Sequence, residues 1–459
     1  MGNLLAISNG AINTGAFANG SKRISRGALY PIRGIDRRET ASALPCEFCP
    51  DARMHLSTRH DTIRITMWFF RAPTIVHGED ALQYLSELRG RRAFVVTDPN
   101  VRAAGLVELA LPQLECAGIS HHLHDDVEPE PSLTTIQRGA QAMAAFGPDW
   151  IVAVGGGSVL DAAKAMWVLY ENPGLDLEAL SPLEPIAMRE RARLVAIPTT
   201  AGTGSEATWA FVITLPGNPP RKLGSGHPLA MPDIAIVDPR MTRTAPPRVT
   251  ADSGMDALTQ AIEGYLASWA NDYSNGLCLV ATKLALDYLP RAYRDPNDVE
   301  AREKMANSAA IGGLGYINAM VGLAHSMGHA LGAIFHLPHG RAVGLCLPYV
   351  IAFYASPARP RETKTRFVEL AKFCGLRWDD ETIAAQALVE RIRALAREIG
   401  QPLTIADAGV AFPDFNAALD ALIDNAMNDT VLFASPRQPT ADELRALFVC
   451  AFHGRPVEF

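Results

Sequence analysis

No stretch of this chain is long and apolar enough to cross a membrane as a helix, which takes roughly 18–20 unbroken apolar residues. Positive charge is not in excess either: 42 Lys and Arg stand against 49 Asp and Glu, a net charge of −7. That balance argues against nucleic acid or an anionic membrane surface as a partner. Cysteine is sparse, seven in all and mostly single, as at Cys116, Cys278, Cys346, Cys374 and Cys450. Such scatter builds no disulfide framework and reads as thiols in a reducing compartment. The first residues lack the continuous apolar core of a secretory signal. The expectation is a soluble cytoplasmic protein. What is present is globular in composition, 48% hydrophobic and 20% charged. At 459 residues the chain exceeds one ordinary core, so two domains of about 150–200 residues are expected.

Residues 1–62 differ from the rest, being rich in Gly, Asn, Ser and Arg with no acid before Asp36. They read as a disordered extension. Cys46 and Cys49 form a lone CxxC there, at most half of a zinc knuckle. From about Ile63, apolar strand-like runs at 74–78, 92–97, 150–154, 194–197 and 234–237 alternate with helical spacing at 81–88, 101–117 and 159–170. Continuous apolar strands separated by helices predict a parallel sheet covered on both faces. Past Met241 the pattern turns helical, over 249–266, 275–289, 299–320, 323–335, 363–374, 381–399 and 441–452. The proline-rich stretch 239–247 marks the expected boundary between an α/β domain, 63–240, and a helical domain, 241–459.

Four of the twelve histidines fall between His325 and His339, in a small and apolar context that also holds His329 and His336. His325 and His329 are four apart and would share a helix face. Pro338 breaks the helix and is expected to let His339 return from a loop. Imidazoles gathered this way suggest a divalent metal, the alternative being histidines that pack between helices. Asp256 and Gln260, also four apart on a helix, offer oxygen ligands, and an acid among Ala, Leu and Ile is costly to bury without a partner. A carboxylate-plus-imidazole set suits Fe(II) or Zn(II).

Two loops point to a nucleotide. Gly155, Gly156, Gly157 and Ser158 follow an apolar strand and open a helix, so backbone and free amides can approach a pyrophosphate. The G-x-G-x-x-G fingerprint is absent, and a tight turn alone gives the same pattern. A second loop after a strand carries Thr199, Thr200, Thr203 and Ser205. Two such loops at the carboxyl ends of strands in one sheet make a dinucleotide the expected ligand. Asp98, ending another strand, would accept from ribose hydroxyls and favour NAD over NADP, or would only cap the next helix.

Taken in order, GGGSVLDAAK, PTTAGTGSEAT, GMDALTQAIEGY and GLAHSMGHALGAIFHLPHG resemble the motifs of the iron-containing (group III) alcohol dehydrogenase family, over about residues 70–459. The resemblance implies a Rossmann-like NAD-binding α/β domain followed by an all-α domain, the dehydroquinate synthase-like design, with metal and nicotinamide meeting between them. It implies metal ligands at Asp256, His325 and His339. His329 would lie near substrate and nicotinamide as the catalytic residue, relaying a proton or orienting substrate. Gly155, Gly156, Gly157, Ser158 and Asp161 would form the pyrophosphate loop, and Thr199, Thr200, Thr203 and Ser205 the second cofactor loop. His336 is expected to pack or to touch the cofactor edge. One position departs: Gln260 stands where the family's usual second histidine ligand lies, leaving coordination by Gln260, a three-ligand site, or no metal. The implied reaction is NAD-linked interconversion of a small alcohol and its aldehyde or ketone on Fe(II), with Zn(II) a possible substitute, in a homo-oligomer. The rival readings are a metal-independent reductase like maleylacetate reductase and a dehydroquinate-synthase-like lyase.

Overall fold

The computed structural model describes residues 69–217, 221–356 and 366–459. Residues 1–62, with Cys46 and Cys49, lie outside them. The sheet half begins with β1 (Thr74–His77) and a 3-10 turn over Ala81–Glu87, then β2 (Arg92–Val96), α1 (Pro99–Ala103), α2 (Val107–Cys116) and β3 (Ser120–His124). It continues with α3 (Leu133–Phe146), β4 (Trp150–Gly155), α4 (Gly157–Glu171) and β5 (Arg193–Pro198). A hairpin of β6 (Ala210–Leu215) and β7 (Arg221–Gly226) precedes β8 (Ile234–Val237).

Six strands make one sheet in the order β1-β8-β5-β4-β2-β3, every pair parallel. The apolar strands explain why both faces are covered. Phe94, Val96, Ile151, Ala153, Leu194 and Ala196 pack under α3 and α4. Their neighbours Ala93, Val95, Val152, Val154, Val195 and Ile197 pack against α2 on the other face. Successive side chains alternate across the pleat, so a strand buried on both faces must be apolar at every position. Each fully buried aliphatic contributes about 1.5–3 kcal/mol.

The helical half follows: α5 (Pro247–Leu266), α6 (Asp272–Arg294), α7 (Val299–Ile317), α8 (Leu323–Phe335) and α9 (His339–Ala355). After these come α10 (Phe367–Phe373), α11 (Glu381–Glu398), α12 (Phe412–Met427) and α13 (Ala441–His453). Helix α5 runs through the middle, packed against α6, α7, α8 and α9. None of the described helices is long and apolar enough to cross a membrane.

Several elements differ from the sequence expectation. The helix expected over 101–117 is two, α1 and α2, separated at Gly105, whose φ is +73°. The run 81–88 is 3-10 rather than α. Helix α7 stops at Ile317, and Met320 beyond it turns to φ +74°. Helix α10 begins at Phe367, and the expected residues 363–365 lie outside the described residues. Strand β3, helix α3, the β6–β7 hairpin, α9 and α12 carry no expectation from periodicity. The edge strand β3 reads Ser-His-His-Leu-His and is only partly buried, so it lacks the apolar run that marks its neighbours.

Candidate metal and cofactor site

The register of the sheet sets the loops side by side. Gly155 at the end of β4 pairs with Pro198 at the end of β5, so the glycine turn and the threonine loop leave the same edge as neighbours. The amide of Thr199 donates to the carbonyl of Gly155 (2.9 Å). A Cβ on Gly157 would lie 2.7 Å from Thr203 Cγ2, so only the bare backbone fits between the loops. Gly156 is the N-cap of the fifteen-residue helix α4, which turns free amides and the positive end of its dipole toward this edge. Asp98 caps α1 through Oδ1, accepting from the amides of Asn100 (2.8 Å) and Val101 (2.9 Å).

Several of the expected cofactor residues are already engaged within the protein. Asp161 accepts from Ser205 Oγ (2.6 Å) at one oxygen and from the Val212 amide (2.9 Å) at the other. Beneath them lies Lys164, fully buried, donating to Ser205 Oγ (2.6 Å), Thr208 Oγ1 (3.0 Å) and the Ala210 carbonyl (2.7 Å). Burial pulls the Lys164 ammonium down to about 8, and burial pushes the Glu206 carboxyl beside it up to about 7. Asp161 and Ser205 therefore brace the second loop from below. Ser158 Oγ accepts from the Glu130 amide (3.3 Å).

In the helical half, Asp256, Gln260 and Glu263 stand at positions i, i+4 and i+7 of α5, one buried stripe. Helix α8 supplies His325 and His329, and ends with His336 in the left-handed conformation at φ +54°. That residue is exposed, so of the two expectations for it packing does not hold. Pro338 then caps α9, and His339 is the first residue of that helix, not part of a loop. The turn works because Gly340 has no side chain: a Cβ there would lie 2.0 Å from the Asp252 carbonyl of α5. Close backbone contact of α9 on α5 is what brings His339 over Asp256.

The three groups converge. One donor atom each from Asp256, His325 and His339 lies within 4.8 Å of the others. Asp256 Oδ1 is buried and accepts no hydrogen bond, although Nε2 of His339 and Nε2 of His325 face it at 3.4 and 3.7 Å. An unpartnered carboxylate oxygen faced by two imidazole nitrogens fits a cation held at the ordinary 2.0–2.2 Å from each donor. Burial alone would raise the Asp256 carboxyl, yet the facing imidazoles of His339 and His325 hold it well below the usual carboxylate range. Asp256 and His325 are nearly inaccessible, whereas the His339 side chain is 43% exposed, so the site is open on one side.

Each imidazole of α8 is aimed by an acid. Glu263 accepts from His325 Nδ1 (2.6 Å) and also from the amides of Gly322 (3.1 Å), Ala324 (2.6 Å) and His325 (3.2 Å). It thereby serves as a buried carboxylate at the N-terminus of α8 and fixes the His325 tautomer with Nε2 toward Asp256. Burial would lower His325, but the carboxylates of Asp256 and Glu263 raise it to about 9. His329 Nδ1 is paired with Asp429 (2.6 Å), yet burial outweighs that acid and lowers His329 below the ordinary value. Glu263 is visible in the sequence, two helical turns from Asp256. Asp429, a hundred residues past His329 and capping a 3-10 turn, carries no such signal.

Gln260 is buried, and its Nε2 donates to the carbonyl of Gly202 in the second loop (2.7 Å). Trp209 and Phe211, aromatics just past the second loop, are buried, and Phe211 belongs to the core beneath the sheet.

Comparison with known proteins agrees with this layout. The family profile described as iron-containing alcohol dehydrogenase matches residues 72–239, and that of the Fe-containing alcohol dehydrogenase family, C-terminal, matches residues 250–452. The chain is 36% identical over 391 residues to a NADPH-dependent butanol dehydrogenase of Clostridium saccharobutylicum, covering 84% of this chain and 98% of that one. It is 35% identical over 416 residues to an aldehyde-alcohol dehydrogenase of Streptococcus pneumoniae, covering 85% of this chain but only 46% of that longer protein. Among solved structures, the iron-containing alcohol dehydrogenase of Thermococcus thioreducens superposes with a TM-score of 0.77 at 30% identity, covering 84% of this chain and all of that one. With both profiles matching in order and the fold shared, the chain belongs to the iron-containing alcohol dehydrogenase family.

Proposed function

We propose that this protein interconverts a small alcohol and its aldehyde or ketone with NAD(H), at the site where Asp256, His325 and His339 converge. The observation that carries the reading is the buried Asp256 Oδ1, without a hydrogen bond and faced by two imidazole nitrogens at 3.4 and 3.7 Å. Fe(II), or Zn(II) in its place, would be held by Asp256, His325 and His339 and when bound would supply Lewis acidity toward the substrate oxygen. NAD(H), when bound, supplies or accepts the hydride.

The chain's own residues do the rest. The amides at the start of α4, from Gly156 onward, receive the pyrophosphate, and the Thr199–Thr203 stretch flanks it. Asp98 uses Oδ1 for its cap and offers Oδ2 to a ribose hydroxyl, which favours NAD; the butanol dehydrogenase relative is described as NADPH-dependent. Alcohol oxidation releases a hydride from carbon and a proton from oxygen. In this reading His329 takes that proton. Asp429 accepts its Nδ1–H, which leaves Nε2 as a base, and burial keeps the ring neutral near pH 7. The side chain is 30% exposed, so the proton can pass on to water. The free thiols among the described residues support a reducing, cytoplasmic setting. Homo-oligomeric assembly is part of the same proposal.

The test is a panel of short alcohols and aldehydes with NAD(H) and NADP(H), run on protein stripped by chelator and then reconstituted with Fe(II) or Zn(II). Turnover should vanish on stripping and return with metal. Full turnover in chelator would defeat the reading.

A further inference from the structure

We infer that Gln260 is a tether between the helical half and the second cofactor loop, leaving the metal three protein ligands, and that it sets dinucleotide affinity. The inference rests on the functional reading above. A primary amide has one donor end and one acceptor end, and the chemistry of its neighbour decides which end points where. The neighbour of Gln260 is a carbonyl, that of Gly202, at 2.7 Å from Nε2, so the donor end is committed to the loop. The next carbonyl is held from the same side: Tyr316 of α7 donates its hydroxyl to the Thr203 carbonyl at 3.3 Å. The loop lies directly against α5 at Ser253 and against α7 at Ala309 and Gly313. Two consecutive loop carbonyls are thus pinned by side chains from two helices of the other half.

The consequence is directional. With the carbonyls of Gly202 and Thr203 turned into the helices, Thr203 stays seated against Gly157 of the pyrophosphate loop. Gln260 is buried on the same stripe of α5 as Asp256, one turn away, so the residue that fixes the loop rides on the helix that supplies the metal's carboxylate. Losing the donor would leave a buried carbonyl unpaired and free the loop to shift. A coordinating role would instead make metal affinity the quantity that depends on Gln260.

Two variants separate these roles without relying on turnover. Gln260→Met keeps the volume and removes both ends of the amide. Gln260→Glu keeps the shape, improves the residue as a ligand and sets a carboxylate against the Gly202 carbonyl; it also serves if the Met variant does not fold. NADH and NADPH binding to the metal-free protein is followed by nicotinamide fluorescence, and Zn(II) affinity by competition with a chromogenic chelator. The tether predicts that NADH binding weakens about five- to tenfold in both variants. Zn(II) affinity of Gln260→Met should stay within about threefold of the parent, since a three-ligand set is untouched. The tether is overturned if Zn(II) affinity drops tenfold or more in Gln260→Met and tightens in Gln260→Glu while NADH binding holds. Unchanged binding of both ligands overturns it equally. A parent protein that binds neither NADH nor NADPH defeats the functional reading itself, and the tether with it.

Discussion

The loops at the sheet edge and the cluster on the helices are built by opposite means. On the sheet side the chemistry on offer is backbone: bare glycines and free amides at the start of α4. On the helical side it is side chains, of which the two imidazoles of α8 are each aimed by an acid. Within the helical side the contrast sharpens further at His325 and His329. They sit four apart on one helix, and each has a carboxylate 2.6 Å from Nδ1. Yet His325 is raised to about 9 while His329 is lowered. The difference is Asp256, a second carboxylate in front of His325 that His329 lacks. Similar first neighbours thus yield one imidazole that holds a proton between two carboxylates, a proton that a bound cation would displace, and one that stays neutral and can accept a proton.

That comparison can be broken in order of effect. Removing the acid behind His325, as Glu263→Gln, should weaken metal binding about 10- to 100-fold, read as metal retained after dialysis against a weak chelator. Retention equal to the parent would show that Glu263 only caps α8. Removing the acid behind His329, as Asp429→Asn, should leave metal content intact and lower kcat about tenfold, with the pH–rate profile displaced. Metal loss in that variant would erase the distinction between the two histidines. On the sheet side, Asp98→Gly should raise the ratio of NADPH to NADH use several-fold, on the order of 1 kcal/mol. An unchanged ratio would reduce Asp98 to a helix cap.

A further effect, read on stability rather than on activity, concerns Glu206 behind the second loop. Its folded carboxyl lies near 7 against an ordinary value of 4.5. The folded protein therefore holds this proton more tightly than the unfolded chain, so stability is full below about pH 4.5 and falls as pH rises toward 7. Glu206→Gln should flatten that slope, by at most about 3 kcal/mol across the interval. A denaturation series at pH 5 and pH 7 measures it; equal slopes in parent and variant would count against a buried, protonated Glu206.

What the sequence makes legible follows the same division. Apolar runs long enough to be buried on both faces announce β2, β4, β5 and β8, whereas the polar edge strand β3 does not. Short-range spacing brings Asp256, Gln260 and Glu263 onto one stripe of α5. His339 could not be placed that way. Its position at the start of α9 depends on a left-handed His336 and on the bare Gly340 against Asp252, both of which are tertiary facts. Asp429 is further still from local pattern, since only the packing of α12 and the turn after it against α8 brings it to His329. Gln260 is the instructive case: spacing marked it as a candidate ligand, and the neighbour that decides its role lies in another half of the chain.

The central claim is that Asp256, His325 and His339 hold one divalent ion, and elemental analysis tests it most directly. Parent protein loaded with Fe(II) or Zn(II) and then desalted should retain close to one ion per chain, while Asp256→Ala and His325→Ala should retain almost none and keep their fold by circular dichroism. Parent and variants that retain metal alike, or a well-folded parent that retains none under conditions where it turns over alcohol, would contradict the account.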